Sequence, residues 1–209
     1  MRQPVEECAM KRALCFKALC ALAIFVLLSL ANMIPTAAGA GPMFRWDTIS
    51  LTMPGGVLTI NPGGSDYALA ADLTTIQISG HGTFGGGVPP TGGGVWATAG
   101  PSAGPLGAAS GTFKVVSFVR FTVAPGSLPP GAVDNIAPAA NARSGLAILG
   151  INYSDGSFGV LTVSCHLPVG APSGIFEGIT ATKGNVDFWD RVPPVPGVNA
   201  NRTNFHRLP

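Results

Sequence analysis

Hydrophobic and polar positions alternate with a period of two along most of the chain after residue 40. No stretch there keeps the 3.6-residue period of an amphipathic helix. Alternating segments separated by Gly and Pro are typical of antiparallel strands. The segments with this pattern are 44–53, 57–61, 74–84, 94–98, 112–123, 146–153, 157–167, 175–183 and 186–190. The pattern therefore predicts an all-β fold.

The clearest alternation runs from Thr112 to Val123 and predicts a strand with one buried face and one solvent face. Lys114 and Arg120 fall on the solvent face. The residues expected on the buried face are Phe113, Val115, Val119, Phe121 and Val123.

Two short segments predict the turns of hairpins. Ser154-Asp155-Gly156 separates two strands, and an Asp-Gly pair supplies the positive φ angles that tight turns need. Lys183-Gly184-Asn185 is expected to join the next pair. Many short strands with Gly bends favour an antiparallel β-barrel, with a two-sheet β-sandwich as the alternative, because both architectures protect strand edges.

The N-terminal segment has the layout of a signal peptide. Basic residues precede an apolar run over 18–34, and Pro35 and small residues follow it. We expect a hydrophobic signal helix within residues 1–40, cleaved after Ala40, and a single β domain over 41–209 that is secreted. The alternative is an uncleaved membrane anchor, with the domain still on the exported side, because the positive-inside rule fits both.

The charge balance and the cysteine content each exclude one feature of the predicted domain. From residue 41 onward the chain has eight Lys or Arg and eight Asp or Glu, which excludes the clustered positive charge of a nucleic-acid-binding protein. Cys165 is the only cysteine after the leader, so an internal disulfide is impossible. We therefore expect the domain to be held together by its hydrophobic core. We also expect a monomer, or a protein that associates with itself only weakly.

Several short blocks resemble known groups of proteins. The Ser-Gly-Ile-Phe-Glu-Gly-Ile-Thr-Ala-Thr-Lys-Gly run within 170–184, after Val163–Leu167, resembles the Gly-rich strand of allene oxide cyclase and dirigent-type barrels. Residues 44–47, 163–167, 187–189 and 201–206 are similar to an uncharacterised group of secreted proteins of plants and bacteria. The resemblance implies a barrel and an apoplastic, glycosylated protein, and it brings no activity with it.

Cys165 and His166 suggest a cysteine nucleophile with a histidine base. Neighbours on a strand point to opposite faces, so the base would have to be His81 or His206. We expect Cys165 to be a small buried hydrophobe, because its face also carries aliphatic residues.

The remaining polar candidates are histidines and one acid. His81 and His166 lie on polar faces of their strands, which are either solvent-exposed or lumen-facing. The three histidines are far apart in sequence, so we expect no metal site and no cofactor. Glu177 shares a strand face with isoleucines. Three roles would explain a charge there: it protects an edge strand from further pairing, it forms an ion pair with Arg191 or Arg45, or it is an acid with a tuned pKa.

Trp96, Trp46 and Trp189 are the aromatic residues best able to stack on a sugar or an apolar ligand. Trp96 follows three glycines beside the Gly-rich stretch 85–111, which predicts an exposed platform at a barrel mouth. The alternative is that all three tryptophans fill the core. Asn152 and Asn201 begin N-glycosylation sequons, and we expect the first to be masked by its strand.

These features predict a binding or extracellular structural module for a small-molecule or carbohydrate ligand, with Trp96 at the rim of the site. One alternative is a cofactor-free isomerase or cyclase whose polar lumen is lined by His81 and His166. The other is a protein-interaction module without a pocket.

Overall fold

The computed structural model describes residues 41–101, 109–194 and 200–209. These residues are nearly all β, which confirms the predicted fold class. Thirteen strands join in one sheet within these ranges. They are β1 (Met43–Thr52), β2 (Thr59–Pro62), β3 (Asp66–Leu69), β4 (Thr75–Gly85), β5 (Thr91–Ala99), β6 (Ala109–Ala124), β7 (Val133–Asp134), β8 (Ala142–Tyr153), β9 (Phe158–Cys165), β10 (Gly178–Lys183), β11 (Val186–Phe188), β12 (Asp190–Arg191) and β13 (Thr203–Arg207).

The strand pairings lead back to the strand from which they start. β1 pairs with β4, β4 with β5, β5 with β6, and β6 with β8, all antiparallel. β13 then pairs with both β8 and β1. β9, β10 and β11 continue the sheet beyond β8, and β2 and β7 continue it from β1.

Both predicted hairpin turns are confirmed. β8 and β9 pair across Ser154-Asp155-Gly156, where Asp155 accepts a hydrogen bond from the backbone N–H of Ser157 at 3.0 Å. Gly156 has a φ of 87°, which a side-chain-bearing residue rarely adopts. β10 and β11 pair across Gly184 and Asn185 in the same way.

The predicted alternation along β6 is right at its start and wrong farther on. Phe113 and Val115 are buried, and Lys114 and Arg120 are exposed. Register shifts between Val115 and Ser117 and between Phe118 and Arg120 are β-bulges, and each bulge reverses which side chains face the core. Between the two bulges Val119 is therefore exposed, and Phe118 stacks on Phe84 instead. The second bulge restores the predicted alternation, so Phe121 packs against the core, whereas Val123, near the end of the strand, is exposed.

An aromatic cluster joins strands of this ring of pairings, with four of its rings in or against the core and the ring of Phe118 partly exposed. Its members are Phe44, Phe84, Phe118, Phe121 and Phe205, with neighbouring ring centroids 4.6–6.0 Å apart. Trp46 lies beside it and is fully buried. Gly82 makes room for Trp46, since a Cβ at that position would lie 2.8 Å from the indole nitrogen.

Three strands were not predicted from the sequence: β3, β7 and β13. Most of β13 is polar, and the residues before it are Asn201 and Arg202, so it lacks the alternation of an ordinary half-buried strand. It is buried on both faces, because the loop that contains β7 covers the side chains of Asn204 and His206. Polar residues are tolerated there because they are hydrogen-bonded to that loop.

The described residues between 41 and 209 belong to one compact unit. The predicted signal segment lies outside the described residues. A search of the described residues found no helix with the length and apolar character needed to cross a membrane.

Candidate functional site

An open cleft of about 1200 Å³ lies between the β1–β2 hairpin and the loop that follows β6. Most of its walls are apolar, and the polar groups gather where β9 ends and β13 begins. The apolar lining residues are Ile49, Leu51, Met53, Val57, Leu58, Ile60, Leu128, Pro129, Pro130, Leu167, Pro168 and Pro194. The polar lining residues are Thr52, His166, Glu177, Arg202, Thr203 and Asn204.

Backbone hydrogen bonds hold both apolar walls in place. In the hairpin, Leu51 pairs with Ile60. In the opposite wall, the loop is fixed at one end by Ser127, whose N–H donates to the carbonyl of Val169 at 2.9 Å. At its other end the N–H of Val133 donates to Leu58, which belongs to the hairpin. The cleft is therefore bounded by chain segments that are tied to each other.

A buried polar contact anchors the loop wall to β13. The carboxylate of Asp134 lies 2.8 Å from Nε2 of His206, and both side chains are fully buried. Asn204 donates to the same carboxylate oxygen at 3.2 Å. Burial raises the pKa of Asp134, but the hydrogen bond and charge of His206 and the backbone N–H groups of Ile136 and Ala137 together outweigh it, so the pKa lies below its usual value. The ionised carboxylate thus fastens the loop to the floor of the cleft.

A second acidic group lies beside this anchor. Asp47 opposes Asn204 on one neighbouring strand and His81 on the other. Arg45 donates two hydrogen bonds of 2.7 Å to its carboxylate. Burial nevertheless outweighs these bonds, and the pKa of Asp47 is raised. His81 is exposed and does not line the cleft, so the structure does not bring it to one site with His166.

Glu177 joins three segments of chain at the floor of the cleft. Its two carboxyl oxygens accept hydrogen bonds from the backbone N–H groups of His166 at 2.5 Å and Thr203 at 2.7 Å. Burial raises the pKa of Glu177 to about 8. Neither Arg191 nor Arg45, the partners considered from the sequence, forms an ion pair with it among the described residues. The raised pKa matches the third sequence interpretation, an acid with a tuned pKa, and it comes from burial, since the two backbone hydrogen bonds lower the pKa.

Arg202 and Asp66 both interact electrostatically with this carboxyl group. The backbone N–H of Arg202 donates to one oxygen of Asp66 at 2.8 Å, and the other oxygen of Asp66 is buried without a hydrogen-bond partner among the described residues. Burial raises the pKa of Asp66 well above its usual value, and the nearby Glu177 raises it further. Arg202 thus lies near two carboxyl groups whose pKa values are raised by burial: Glu177, which lines the cleft, and Asp66, which does not.

Cys165 is fully buried and does not line the cleft, as its strand face predicted. Burial raises the pKa of its thiol well above the ordinary value, and the neighbouring carboxyl group of Glu177 adds to the effect. A thiol in this state is a poor nucleophile, because the thiolate is the reactive form. In the part of the chain that the structure describes, no cluster of His, Cys, Asp or Glu suits a metal ion.

The tryptophans do not form the exposed ligand platform that the sequence predicted at Trp96. Trp96 is only 2% exposed, and its indole N–H donates to the carbonyl of Thr112 at 3.1 Å. The prediction of an exposed Trp96 is therefore wrong, because the side chain of Lys183 and the ring of Tyr153 cover the indole. Trp46 is buried as well, whereas Trp189 is 60% exposed but does not line the cleft.

The two sequons differ in a way that the sequence did not predict. Asn152 is exposed on β8 rather than masked by it. Asn201 is 2% exposed, accepts a hydrogen bond from the N–H of Tyr67 and donates one to the carbonyl of Pro193. A glycan on Asn201 would require these contacts to break.

Two residues of the cleft, His166 and Glu177, were predicted from the sequence as candidate site residues. The other residues that line it were not. Arg202 and the proline-containing loop were not singled out as a site. The only sequence signal for this site was in the loop, where prolines and aliphatic residues are concentrated between two strands. Comparisons with family models, with curated proteins and with solved structures found no match.

Proposed function

We propose that this chain is exported by its N-terminal segment and acts as a binding module for a small, largely apolar ligand that occupies the cleft. In this proposal the ring of pairings through β1, β4, β5, β6, β8 and β13 is a closed β-barrel with a packed interior. The ligand therefore binds beside the barrel rather than within it.

The observation that carries the proposal is the apolar character of an open cleft of about 1200 Å³. Ligand sites are typically concave and mainly apolar, with a few polar groups that orient the ligand. Met53 is 60% exposed and Val57 is 41% exposed in the wall, so an apolar ligand would remove their side chains from water. None of the phenylalanines of the aromatic cluster lines this space.

Binding of N-phenyl-1-naphthylamine, an uncharged probe that fluoresces in apolar surroundings, tests the proposal. Val57→Asp places a charge in the cleft wall. Val160→Asp is the matched control, because Val160 is 40% exposed on β9, outside the cleft. We expect Val57→Asp to weaken binding of the probe by about tenfold or more, since the charge must be desolvated, and Val160→Asp to leave it unchanged. Equal affinities for the two variants would contradict the proposal.

A cofactor-free isomerase or cyclase is the second candidate, and one observation favours it. Glu177 has a pKa of about 8 and lines an apolar cleft, as an acid–base catalyst near neutral pH would. The ring opening of 5-nitrobenzisoxazole, which any well-placed base accelerates, provides the test. Turnover that disappears in Glu177→Gln would support the enzyme, and equal rates in the two proteins would leave binding as the function.

A further inference from the structure

Arg202 brings a positive charge to a cleft whose other walls are mostly apolar. Its backbone is held on both sides, because its N–H donates to Asp66 and its carbonyl accepts the N–H of Ile49 at 2.8 Å. Its guanidinium group has no hydrogen bond or ion pair with any of the described residues. Arg202 lines an apolar cleft, and within the described ranges its charge interacts only at longer range with Glu177 and Asp66, so its guanidinium is available for a ligand.

The carboxyl groups near Arg202 are poorly suited to neutralise it. Both oxygens of Glu177 already accept backbone N–H groups, and one oxygen of Asp66 accepts the N–H of Arg202 itself. Burial raises the pKa values of both carboxyl groups, to about 8 for Glu177. At neutral pH most Glu177 side chains are therefore protonated, and they do not neutralise the positive charge of Arg202.

We propose that the ligand is an amphipathic anion, with an apolar body along the hairpin and loop walls and a single carboxylate, sulfate or sulfonate group paired with Arg202. This inference rests on the proposed binding function and specifies its ligand class. The planar guanidinium can donate two parallel hydrogen bonds to such a head group, which fixes the orientation of the ligand. The apolar residues of the cleft then lie within reach of the rest of the molecule.

Anion binding at Arg202 is coupled to the proton on Glu177. The titratable groups packed around Glu177 are His166 at the end of β9, Cys165 within β9, Asp66 on β3 and Arg202 before β13. When pH rises through about 8, Glu177 ionises and adds a negative charge to the cleft floor. A bound anion is then repelled, so its affinity falls, whereas an uncharged ligand is affected little.

Two probes with the same apolar body separate these effects. N-phenyl-1-naphthylamine is uncharged, and 1-anilinonaphthalene-8-sulfonate adds one sulfonate to the same ring system. We expect Arg202→Gln to raise the Kd of the sulfonate probe by about tenfold and to change that of the uncharged probe by less than about twofold. Arg202→Lys keeps the charge and restores part of the affinity. Arg120→Gln removes an exposed arginine outside the cleft and leaves both affinities unchanged.

The pH dependence supplies a second readout. Between pH 7 and 9 the Kd of the sulfonate probe is expected to rise at least about threefold in the original protein and to stay constant in Glu177→Gln. Equal effects of Arg202→Gln on the two probes, or no effect on the sulfonate probe, would overturn the inference while leaving the binding function intact. If the uncharged probe does not bind the original protein at all, the proposed function itself fails.

Discussion

Glu177→Gln tests the energetic role of the buried carboxyl group most sharply. The carboxyl group accepts two backbone N–H groups, whereas the amide of Gln has one acceptor oxygen and turns an NH₂ group toward the other N–H. Loss of one buried hydrogen bond costs about 1–3 kcal/mol. We therefore expect the variant to be less stable than the original protein by this amount at pH 5, where Glu177 is protonated in the folded state.

The difference is expected to shrink or reverse at high pH. The pKa of Glu177 is 4.5 in the unfolded chain and about 8 in the folded protein, so folding takes up a proton at pH values between these two. A raised folded pKa means that stability is fully present below pH 4.5 and is lost as pH rises through 8. Integrated from pH 5 to 9, this loss amounts to roughly 4 kcal/mol for the original protein and is absent from the variant.

Urea unfolding followed by tryptophan fluorescence at pH 5, 7 and 9 provides the assay. Asp66 also has a raised pKa, part of which comes from Glu177, so the difference between the two proteins contains the titration of Glu177 and its effect on Asp66. Asp187→Asn, which removes a carboxylate from an exposed position, is the control. If the difference between the original protein and Glu177→Gln is the same at pH 5 and pH 9, Glu177 is not a protonated buried acid.

Three further predictions concern other parts of the fold. In the native protein Cys165→Ala leaves the reaction with Ellman's reagent unchanged, and in denaturant it removes one reactive thiol; a difference in the native state would show that Cys165 is accessible. Gly94→Ala places a Cβ 1.9 Å from the carbonyl oxygen of Ser79 and lowers the free energy of urea unfolding by about 1–3 kcal/mol, whereas Gly174→Ala, with open space around it, does not. Asp134→Ala leaves His206 without its buried partner, lowers that free energy by about 1–3 kcal/mol and weakens binding of N-phenyl-1-naphthylamine; unchanged binding would show that Asp134 does not hold the cleft wall.

Local sequence signals predicted the strands and hairpins well where structure depends on local chemistry. The Asp155-Gly156 turn is one example, because two adjacent residues supply both the turn geometry and its hydrogen bonds. The bulges of β6 were missed because a bulge inserts one residue without a composition signal, and the alternation that predicted Val119 to be buried continues through it.

The candidate site was predicted only in part, because its residues come from segments far apart in the chain. Glu177 stood out as a charge among apolar neighbours on its strand. Arg202 could not be singled out, since its position in the cleft depends on β13 pairing with β1 and β8. Trp96 was expected at a rim because glycines precede it, but those glycines instead allow the backbones of neighbouring strands to approach closely.

The most direct test of the proposed binding site uses the methyl group of Met53 as a probe inside the cleft. Met53 lines the wall, whereas Met43 packs against Gly86 elsewhere in the fold. In protein labelled with ¹³C at methionine methyl groups, replacement of each residue by Leu assigns the two resonances. Titration with N-phenyl-1-naphthylamine is predicted to shift the Met53 resonance and to leave that of Met43 in place. A saturable probe signal with no shift at Met53 would show that the ligand binds somewhere other than this cleft.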